Sequence, residues 1–201
     1  MKVITQEEKD VKLEDLKNLP SGSLVPITLT NGYEMWMKVA RDDEGKVYLC
    51  AEDCLPDARK MNNEPTINGG YLMSDLREWL TTEFYKLVPD EVKEVILPTE
   101  IVRTINGKRK VETDYVFIAS RTQLFGVGDW STQEPSDSQF DIYLTEKSRV
   151  KERASVGTEW YWLSSSDSGN SGNFCHVSTN GNLSGNFAYN SYGVVPCFRI
   201  G

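Results

Sequence analysis

The order of apolar segments and turn residues predicts a three-strand meander near the start of the chain. Apolar segments at 25–30 and 33–41 flank Asn31-Gly32, a dipeptide that favours a two-residue hairpin turn. A polar turn follows, and the apolar segment 46–51 comes after it. Because short turns join antiparallel neighbours, we expect these three segments to pair side by side.

A short apolar stripe precedes the meander. Pro20 ends any helix there because it lacks a backbone N–H. We therefore predict an N-terminal helix or extension over residues 1–22 and a single domain over residues 23–201. The apolar residues with near-helical spacing are Val11, Leu13, Leu16 and Leu19.

The strongest helical pattern in the chain lies between Ser74 and Pro89. Ser is a preferred helix N-cap, and Pro breaks a helix. A second, shorter helix is predicted after Pro89. The apolar face of the first helix has three- and four-residue spacing and consists of Leu76, Trp79, Leu80, Phe84 and Leu87.

A second hairpin and a buried strand follow these helices. Asn106-Gly107 lies between segments 100–105 and 110–113 and predicts a tight turn. Residues 114–120, DYVFIAS, are a short apolar run with polar ends, which is typical of a buried strand. Residues 121–145 are predicted to be irregular.

The C-terminal part of the chain has a different composition. Two apolar segments, 160–163 and 193–200, bracket residues 164–192, of which eighteen are Ser, Asn or Gly and none is Lys, Arg or Glu. This composition is typical of flexible linkers, and a solvated sheet edge is another interpretation. Asn180-Gly181, however, predicts a hairpin, and the apolar side chains within the segment need somewhere to pack.

Ordered loops rich in Ser, Gly, Asn and Tyr are typical of binding surfaces, because Tyr supplies contact area and the others supply adaptable hydrogen bonds. We therefore predict that residues 160–201 carry a ligand-binding surface, with polar side chains facing outward on a frame set by Trp162 and Phe198. The candidate ligand-binding residues are Ser166, Asp167, Ser168, Asn170, Ser171, Asn173, His176, Ser178, Asn180, Asn182, Ser184, Asn186, Tyr189, Asn190 and Tyr192.

Charge and length limit the partners. The chain has 201 residues and a net charge of −8, so it is a poor binder of nucleic-acid phosphates and no nucleic-acid partner is expected. No apolar run approaches the ~18 residues that a membrane span requires. The charged N-terminus lacks the apolar core of a signal peptide. We expect a protein that is cytoplasmic as synthesised or associated with a virion.

Residue types used in catalysis and metal binding are sparse. His176 is the only histidine, and its neighbour Cys175 would point to the opposite face of a strand, so the two cannot form a dyad. We expect His176 at the surface or on the binding face.

The four cysteines are expected to be buried thiols, and a disulfide between Cys175 and Cys197 is the alternative. No catalytic residue, metal or cofactor is assigned. The weak alternative is Ca²⁺ held by Asp129, Glu134, Asp137 and Asp141.

Four motifs resemble a domain family of unassigned function in bacteria and phages. They are YLMSDLREWL with Phe84, DYVFIAS, WYWLSS and GVVPCF, and together they cover most of residues 25–201. The corresponding family motifs are S-x-L-R-x-W-L, D-x-V-F-L-L-S, W-W-L-R-S and G-V-R-P-A. Ser164 and Val195 stand where the family has arginines, so no role is carried over to either position.

The polar segment before a terminal G-V-x-P strand is also similar to the C-type-lectin-like fold of formylglycine-generating enzymes and of variable proteins of diversity-generating retroelements. In those variable proteins, adenine-directed mutagenesis converts AAY codons for Asn into codons for Ser, Asp, Gly, Tyr or His. The composition of residues 164–192 matches that bias. The resemblance implies an α+β, C-type-lectin-like fold with a mixed, twisted sheet and two or three helices.

The expected function follows from the segment and the resemblance together. We expect a non-catalytic protein that binds a protein or glycan ligand on a cell surface, as a phage protein or a bacterial display protein. One alternative is an enzyme of the formylglycine-generating type that uses Cys175 and Cys197. Another is a structural module that assembles a phage particle. Monomer and trimer are equally consistent with the sequence.

Overall fold

This computed structural model describes residues 13–167 and 172–201. In these ranges the chain forms an α+β domain with few helices. The helices are α1 (Asp75–Trp79), α2 (Tyr85–Leu87), α3 (Asp90–Lys93), α4 (Arg121–Phe125) and α5 (Glu146–Arg149). The strands are β1 (Leu24–Thr28), β2 (Glu34–Arg41), β3 (Val47–Ala51), β4 (Arg59–Lys60), β5 (Ile96–Leu97), β6 (Thr99–Ile105), β7 (Lys108–Asp114), β8 (Phe117–Ile118), β9 (Lys151–Arg153), β10 (Gly157–Glu159), β11 (Tyr161–Ser166), β12 (Asn173–Val177), β13 (Leu183–Phe187), β14 (Ser191–Tyr192) and β15 (Pro196–Ile200).

The C-terminal strand lies in the middle of the main sheet. The strand order is β1–β2–β3–β15–β5, and β8 also pairs with β15. Phe198 and Cys197 of β15 are fully buried, and Cys197 lies opposite Cys50 of β3. Because this strand is covered on both faces, it forms the centre of the hydrophobic core.

The prediction of a mixed sheet is wrong for the described residues. Each pair of strands there is antiparallel, and the parallel contact is an isolated bridge between Tyr161 and Gly193. Tight turns account for four of these pairs, β1–β2, β2–β3, β6–β7 and β12–β13, because such turns produce antiparallel pairs.

The predicted N-terminal meander is confirmed. β1 pairs with β2 over five residue pairs, and Gly32 in the connecting turn has a φ of 86° that suits glycine. The predicted helix at 11–19 is a 3₁₀ helix over Leu13–Asn18, and it buries Leu16 against the core. Residues before 13 lie outside the described part of the chain.

The predicted helix after Ser74 is also confirmed. The Ser74 hydroxyl accepts the N–H of Arg77 at 3.1 Å and thereby caps the first turn of α1. The helix continues from α1 through a π-helical turn (Leu80–Phe84) into α2. Leu76, Leu80 and Phe84 are buried, as the apolar stripe predicts.

An ion pair fastens this helix to the β6–β7 hairpin. Arg77 Nε and Nη2 donate to the Asp114 carboxylate at 2.8 and 2.7 Å, and Arg77 Nη1 donates to the Leu72 carbonyl at 2.7 Å. The Asp114 side chain is 1% exposed and the Arg77 side chain is 17% exposed. A bidentate ion pair that is so little exposed to solvent fixes both the distance and the angle between the helix and the hairpin.

The prediction that residues 121–145 are irregular is wrong at its start. α4 begins after Ser120, whose hydroxyl accepts the Gln123 N–H at 3.1 Å while Gln123 Oε1 accepts the Ser120 N–H at 2.8 Å. This reciprocal capping box stabilises a helix of five residues that is too short to show an apolar stripe. The strand predicted over residues 114–120 is shorter in the structure, where β8 covers only Phe117–Ile118.

The C-terminal polar segment is folded where it is described, so the linker interpretation is wrong for residues 172–192. β11, β12 and β13 form a three-stranded sheet, and the hairpin predicted at Asn180-Gly181 joins β12 to β13. The segment then continues into β14, which pairs with β4 next to α1. The polar segment is therefore paired with other strands at β12, β13 and β14, and these pairings fix the positions of its side chains.

We expect Asp114→Ala to destabilise the protein by about 3 kcal/mol, because it leaves the Arg77 guanidinium without its buried partner. Urea unfolding followed by circular dichroism measures the loss. Glu112→Ala is the matched control, since Glu112 is 53% exposed and lies 3.4 Å from the same guanidinium. That variant should lose less than about 1 kcal/mol. Equal losses in the two variants would contradict the importance of the buried pair.

Candidate functional site

Four aromatic rings meet where the C-terminal strands come together. Trp162 of β11 lies opposite His176 of β12, and Trp160 stacks on His176 with ring centroids 5.0 Å apart. The Tyr192 ring lies 5.3 Å from Trp160, 4.6 Å from Trp162 and 5.0 Å from His176. We call these four residues the ring cluster.

Backbone contacts hold the ring cluster in place. Gly193 N–H donates to the Trp160 carbonyl at 2.7 Å, and Trp162 N–H donates to the Gly193 carbonyl at 3.1 Å. A Cβ at Gly193 would clash with Cys54 Sγ and lie 3.1 Å from the Trp160 carbonyl oxygen, so a larger residue would have to displace the Cys54 side chain. Trp162 Nε1 donates to the Arg59 carbonyl at 2.8 Å, which ties the cluster to β4 as well.

His176 is buried, so the prediction that it lies at the surface is wrong. It is 1% exposed, and neither of its ring nitrogens has a hydrogen-bond partner. The reason is the strand register, which places His176 beside Trp162 on the side that Trp160 and Tyr192 cover. Burial lowers the pKa of His176 to about 4, so the imidazole is neutral at pH 7 and adds no charge to the ring cluster.

Polar side chains form a rim beside the ring cluster. Asn186 Nδ2 donates to the Tyr192 hydroxyl, and Asn190 Nδ2 donates to Asn186 Oδ1 at 2.9 Å. Ser184 lies opposite His176 in the strand register and is exposed. Because side chains alternate along a strand, Ser184 and Asn186 share one face. We call Ser184, Asn186 and Asn190 the amide rim.

The predicted residues do not all share that face. Asn173 lies opposite Phe187, which places both on the other side of the β12–β13 pair. Phe187 and Tyr189 stack with centroids 5.4 Å apart and are 44% and 41% exposed. The prediction of one outward surface is therefore corrected to two faces of one hairpin, of which the second carries a pair of exposed aromatic rings.

The hairpin tip packs on α5. Arg149 Nε donates to the Gly181 carbonyl at 3.0 Å, and Asn182 N–H donates to the Ser178 hydroxyl at 3.2 Å. Asn180 and Asn182 are exposed, whereas Ser178 is partly buried. The tip is thus held at its backbone while its two amides reach solvent.

The remaining predicted residues lie at the start of the polar segment. Ser166 is the last residue of β11 and pairs with Phe174 after a register shift. The N–H of Asp167 donates to the Asn173 carbonyl at 2.9 Å. Ser168, Asn170 and Ser171 lie outside the described residues.

Three of the four acidic residues weighed for Ca²⁺ binding contact protein groups. Glu134 accepts the Thr122 N–H at 2.8 Å and the Ser165 hydroxyl. Asp137 pairs with Arg103 at 2.9 Å, and Asp141 accepts the Arg41 N–H at 2.9 Å, while Asp129 begins a 3₁₀ helix. Within residues 13–167 and 172–201, no three His, Cys, Asp or Glu side chains form a group that could hold a metal ion.

The cysteines are free and buried in the described structure. Cys197 Sγ lies 3.1 Å from Cys50 Sγ across the β3–β15 pair, so the Cys175–Cys197 disulfide left open by the sequence is not formed. Burial raises the pKa of Cys54 and of Cys175 to about 12. A thiol that resists ionisation is a poor nucleophile and a poor metal ligand, which disfavours a redox pair built on Cys175 and Cys197.

Sequence patterns did not point to Arg59 and Trp79, which lie next to the candidate surface. Arg59 of β4 pairs with Tyr192 of β14, and its guanidinium carbon lies 3.6 Å from the centre of the Trp79 ring. Cavities of about 370 and 130 Å³ open on either side of these two side chains. Arg59 lies in a polar, turn-rich stretch and Trp79 on an apolar helix face, so no local pattern joins them.

The fold and the surface define a small α+β domain with an aromatic floor and an amide rim. The chain belongs to the family described as a domain of unknown function (DUF6273), whose model matches residues 44–201. No curated protein and no solved structure matches the chain. In the described ranges, no helix is long and apolar enough to cross a membrane.

The buried histidine predicts a pH dependence of stability. Unfolded His176 titrates near 6.5 and folded His176 at about 4, so the unfolded state binds more protons between these values. The free energy of unfolding should therefore fall as the pH is lowered from 6.5 towards 4. Urea unfolding at pH 7 and pH 5 should show a smaller loss for His176→Phe than for the wild type.

The proton NMR signal of this single histidine provides the direct check. A titration with a midpoint near 4 supports the enclosed ring, whereas a midpoint near 6.5 would show that the imidazole is solvated and that the ring cluster is open.

Proposed function

We propose that this protein is a non-catalytic ligand-binding protein that binds a protein or glycan ligand on a cell surface through the ring cluster and the amide rim. The observation that carries the proposal is the hydrogen-bonded series Asn190–Asn186–Tyr192 beside the packed rings. These groups are held by two sheets, so little side-chain freedom would be lost on binding. Rigid aromatic area beside adaptable amides is the chemistry of a binding surface.

The charge pattern supports a binding role. Residues 172–192 contain no charged side chain in a chain whose net charge is −8. An uncharged surface has a low desolvation cost, and amides can both donate and accept hydrogen bonds. Sugars present hydroxyls and apolar ring faces, and proteins present backbone amides, so both ligand classes match such a surface.

The exposed ring pair Phe187–Tyr189 adds a second contact on the opposite face of the same hairpin. Aromatic residues dominate the energy of interfaces because they bury large areas at low entropy cost. A ligand that wraps around the hairpin would contact both faces. A flat ligand would use the ring cluster and amide rim alone.

We also propose that the antiparallel α+β domain is C-type-lectin-like and that the gene is diversified by a retroelement in a phage or bacterium. The support is the motif resemblance together with a polar segment that returns to a central terminal strand. The gene offers a test, with a near-identical template repeat, an adjacent reverse-transcriptase gene and AAY codons at Asn170, Asn173, Asn180, Asn182, Asn186 and Asn190. Absence of the repeat would contradict diversification and leave ligand binding in place.

The binding proposal is tested with the double variant Asn186→Ala/Asn190→Ala. Wild-type protein is applied to arrays of bacterial glycans and of cell-surface proteins, and the affinity for each bound ligand is measured by calorimetry. We expect the double variant to bind at least about tenfold more weakly, because two amide hydrogen bonds are lost.

Asn18→Ala is the matched control, since Asn18 is an exposed asparagine on the N-terminal 3₁₀ helix. It should bind like the wild type. Equal affinity of the double variant and the control for every bound ligand would contradict the proposed surface.

A further inference from the structure

Two cavities meet at the stacked pair Arg59–Trp79. The smaller, of about 130 Å³, is mainly apolar, and its walls include Leu29, Phe84 and Leu87. The larger, of about 370 Å³, is polar and borders the smaller one through the shared Arg59 and Trp79. None of the residues predicted to bind ligand from the sequence lines either cavity, although Arg59 adjoins the ring cluster through Trp162 and Tyr192.

Arg59 is a cation without a carboxylate partner at ion-pair distance among the described residues. Its buried Nε has no hydrogen-bond partner in the same ranges. Burial lowers the pKa of Arg59, and attraction from the nearby Asp57 only partly opposes this. A partly buried guanidinium whose Nε has no hydrogen-bond partner can accept an anion, which would supply hydrogen-bond acceptors to it.

The guanidinium is held in position before any ligand arrives. Its face rests on the Trp79 ring at 3.6 Å, a cation–π contact. The Arg59 carbonyl accepts the Trp162 indole N–H at 2.8 Å, and the residue pairs with Tyr192. A positioned guanidinium loses little freedom on binding a carboxylate and offers it a planar pair of donors.

The other polar groups of the larger cavity leave this cation available. Asp75 carries the negative charge in its wall, and Asp75 Oδ2 accepts the N–H and the Nδ2 of Asn63 at 2.8 and 2.7 Å. Lys60 adds a second, exposed positive charge to the same wall. The wall of the larger cavity therefore carries two positive charges and one negative charge, while the exposed Asp57 lines the smaller cavity.

The size of the apolar cavity sets the size of the ligand. A buried cavity of about 150 Å³ is known to hold one benzene molecule. The 130 Å³ between Leu29, Phe84 and Leu87 therefore suits a group of about the size of a phenyl ring or a short branched alkyl chain. Such a group would bury apolar area on Trp79 and Phe84 while its charged end remains at Arg59.

We propose that the Arg59–Trp79 site binds a small amphipathic carboxylate, with the carboxylate on the Arg59 guanidinium and a phenyl-sized apolar group in the cavity beside Phe84 and Leu87. The site adjoins the proposed ligand surface but uses other side chains, those of Arg59, Trp79, Phe84 and Leu87. It gives this domain a small-molecule ligand in addition to a macromolecular one.

The test compares three probes that share the same apolar group: 3-phenylpropionate, 3-phenylpropan-1-ol and 3-phenylpropylammonium. Calorimetry on the full chain measures their affinities. We expect 3-phenylpropionate to bind at least about tenfold more tightly than the alcohol, because it adds charge-assisted hydrogen bonds, and we expect the ammonium to bind most weakly.

Arg59→Met keeps an unbranched side chain and removes the charge, so it should abolish the preference for the acid while the alcohol still binds. Lys86→Met is the matched control, because Lys86 is 69% exposed, lines neither cavity and carries the same charge. The control should keep the full preference. A preference that survives in Arg59→Met, or that is lost in the control, would overturn the proposal.

A second measurement uses only the wild-type protein, in case Arg59→Met does not fold. Bound 3-phenylpropionate should show NMR cross-relaxation between its ring protons and the side chains of Trp79 and Leu87. Equal affinity for acid and alcohol, or cross-relaxation only to other residues, would overturn the assignment. Asn186→Ala/Asn190→Ala should leave the affinity for this probe unchanged, so failure of either proposal is recognised separately.

Discussion

The rest of the structure depends on the burial of the terminal strand β15 between β3 and β5. Because β15 lies in the centre of the main sheet, the hydrophobic core is complete only when the last residues of the chain have paired with β3 and β5. The chain between β11 and β15 forms smaller sheets outside the main sheet and then returns to it. Gly193 marks the return, because it packs on Cys54 where no side chain fits and bonds to Trp160 and Trp162. The polar segment is anchored at both ends by the same core that stabilises the domain.

This anchoring explains how a stretch of Ser, Asn and Gly can be ordered. The stabilising free energy comes from burial of the apolar residues that lie between the polar ones. Phe174, Cys175 and Val177 are buried, and Ala188 is fully covered. The ring cluster then joins β11, β12 and β14 through side chains rather than through one continuous sheet. A surface built in this way tolerates changes in its exposed amides, because those amides contribute little to the core.

Local signals in the sequence were sufficient to predict much of the fold. Asn31-Gly32, Asn106-Gly107 and Asn180-Gly181 each lie in a hairpin turn, since turn geometry depends on neighbouring residues alone. The burial of His176 and the Arg59–Trp79 pair could not be predicted, because both depend on β14 pairing with β4, about 130 residues earlier in the chain. The capping box at Ser120 and Gln123 was a visible signal, but the helix it begins is too short for an apolar stripe.

The central claim is that residues 172–192 form a preformed surface in the absence of ligand. Hydrogen exchange of the free protein, followed by mass spectrometry or NMR, measures this most directly. The account predicts that the amides of β12 and of β13 exchange far more slowly than those of an unstructured peptide and approach the protection of β15. Exchange of these amides at unstructured-peptide rates, while β15 stays protected, would contradict it.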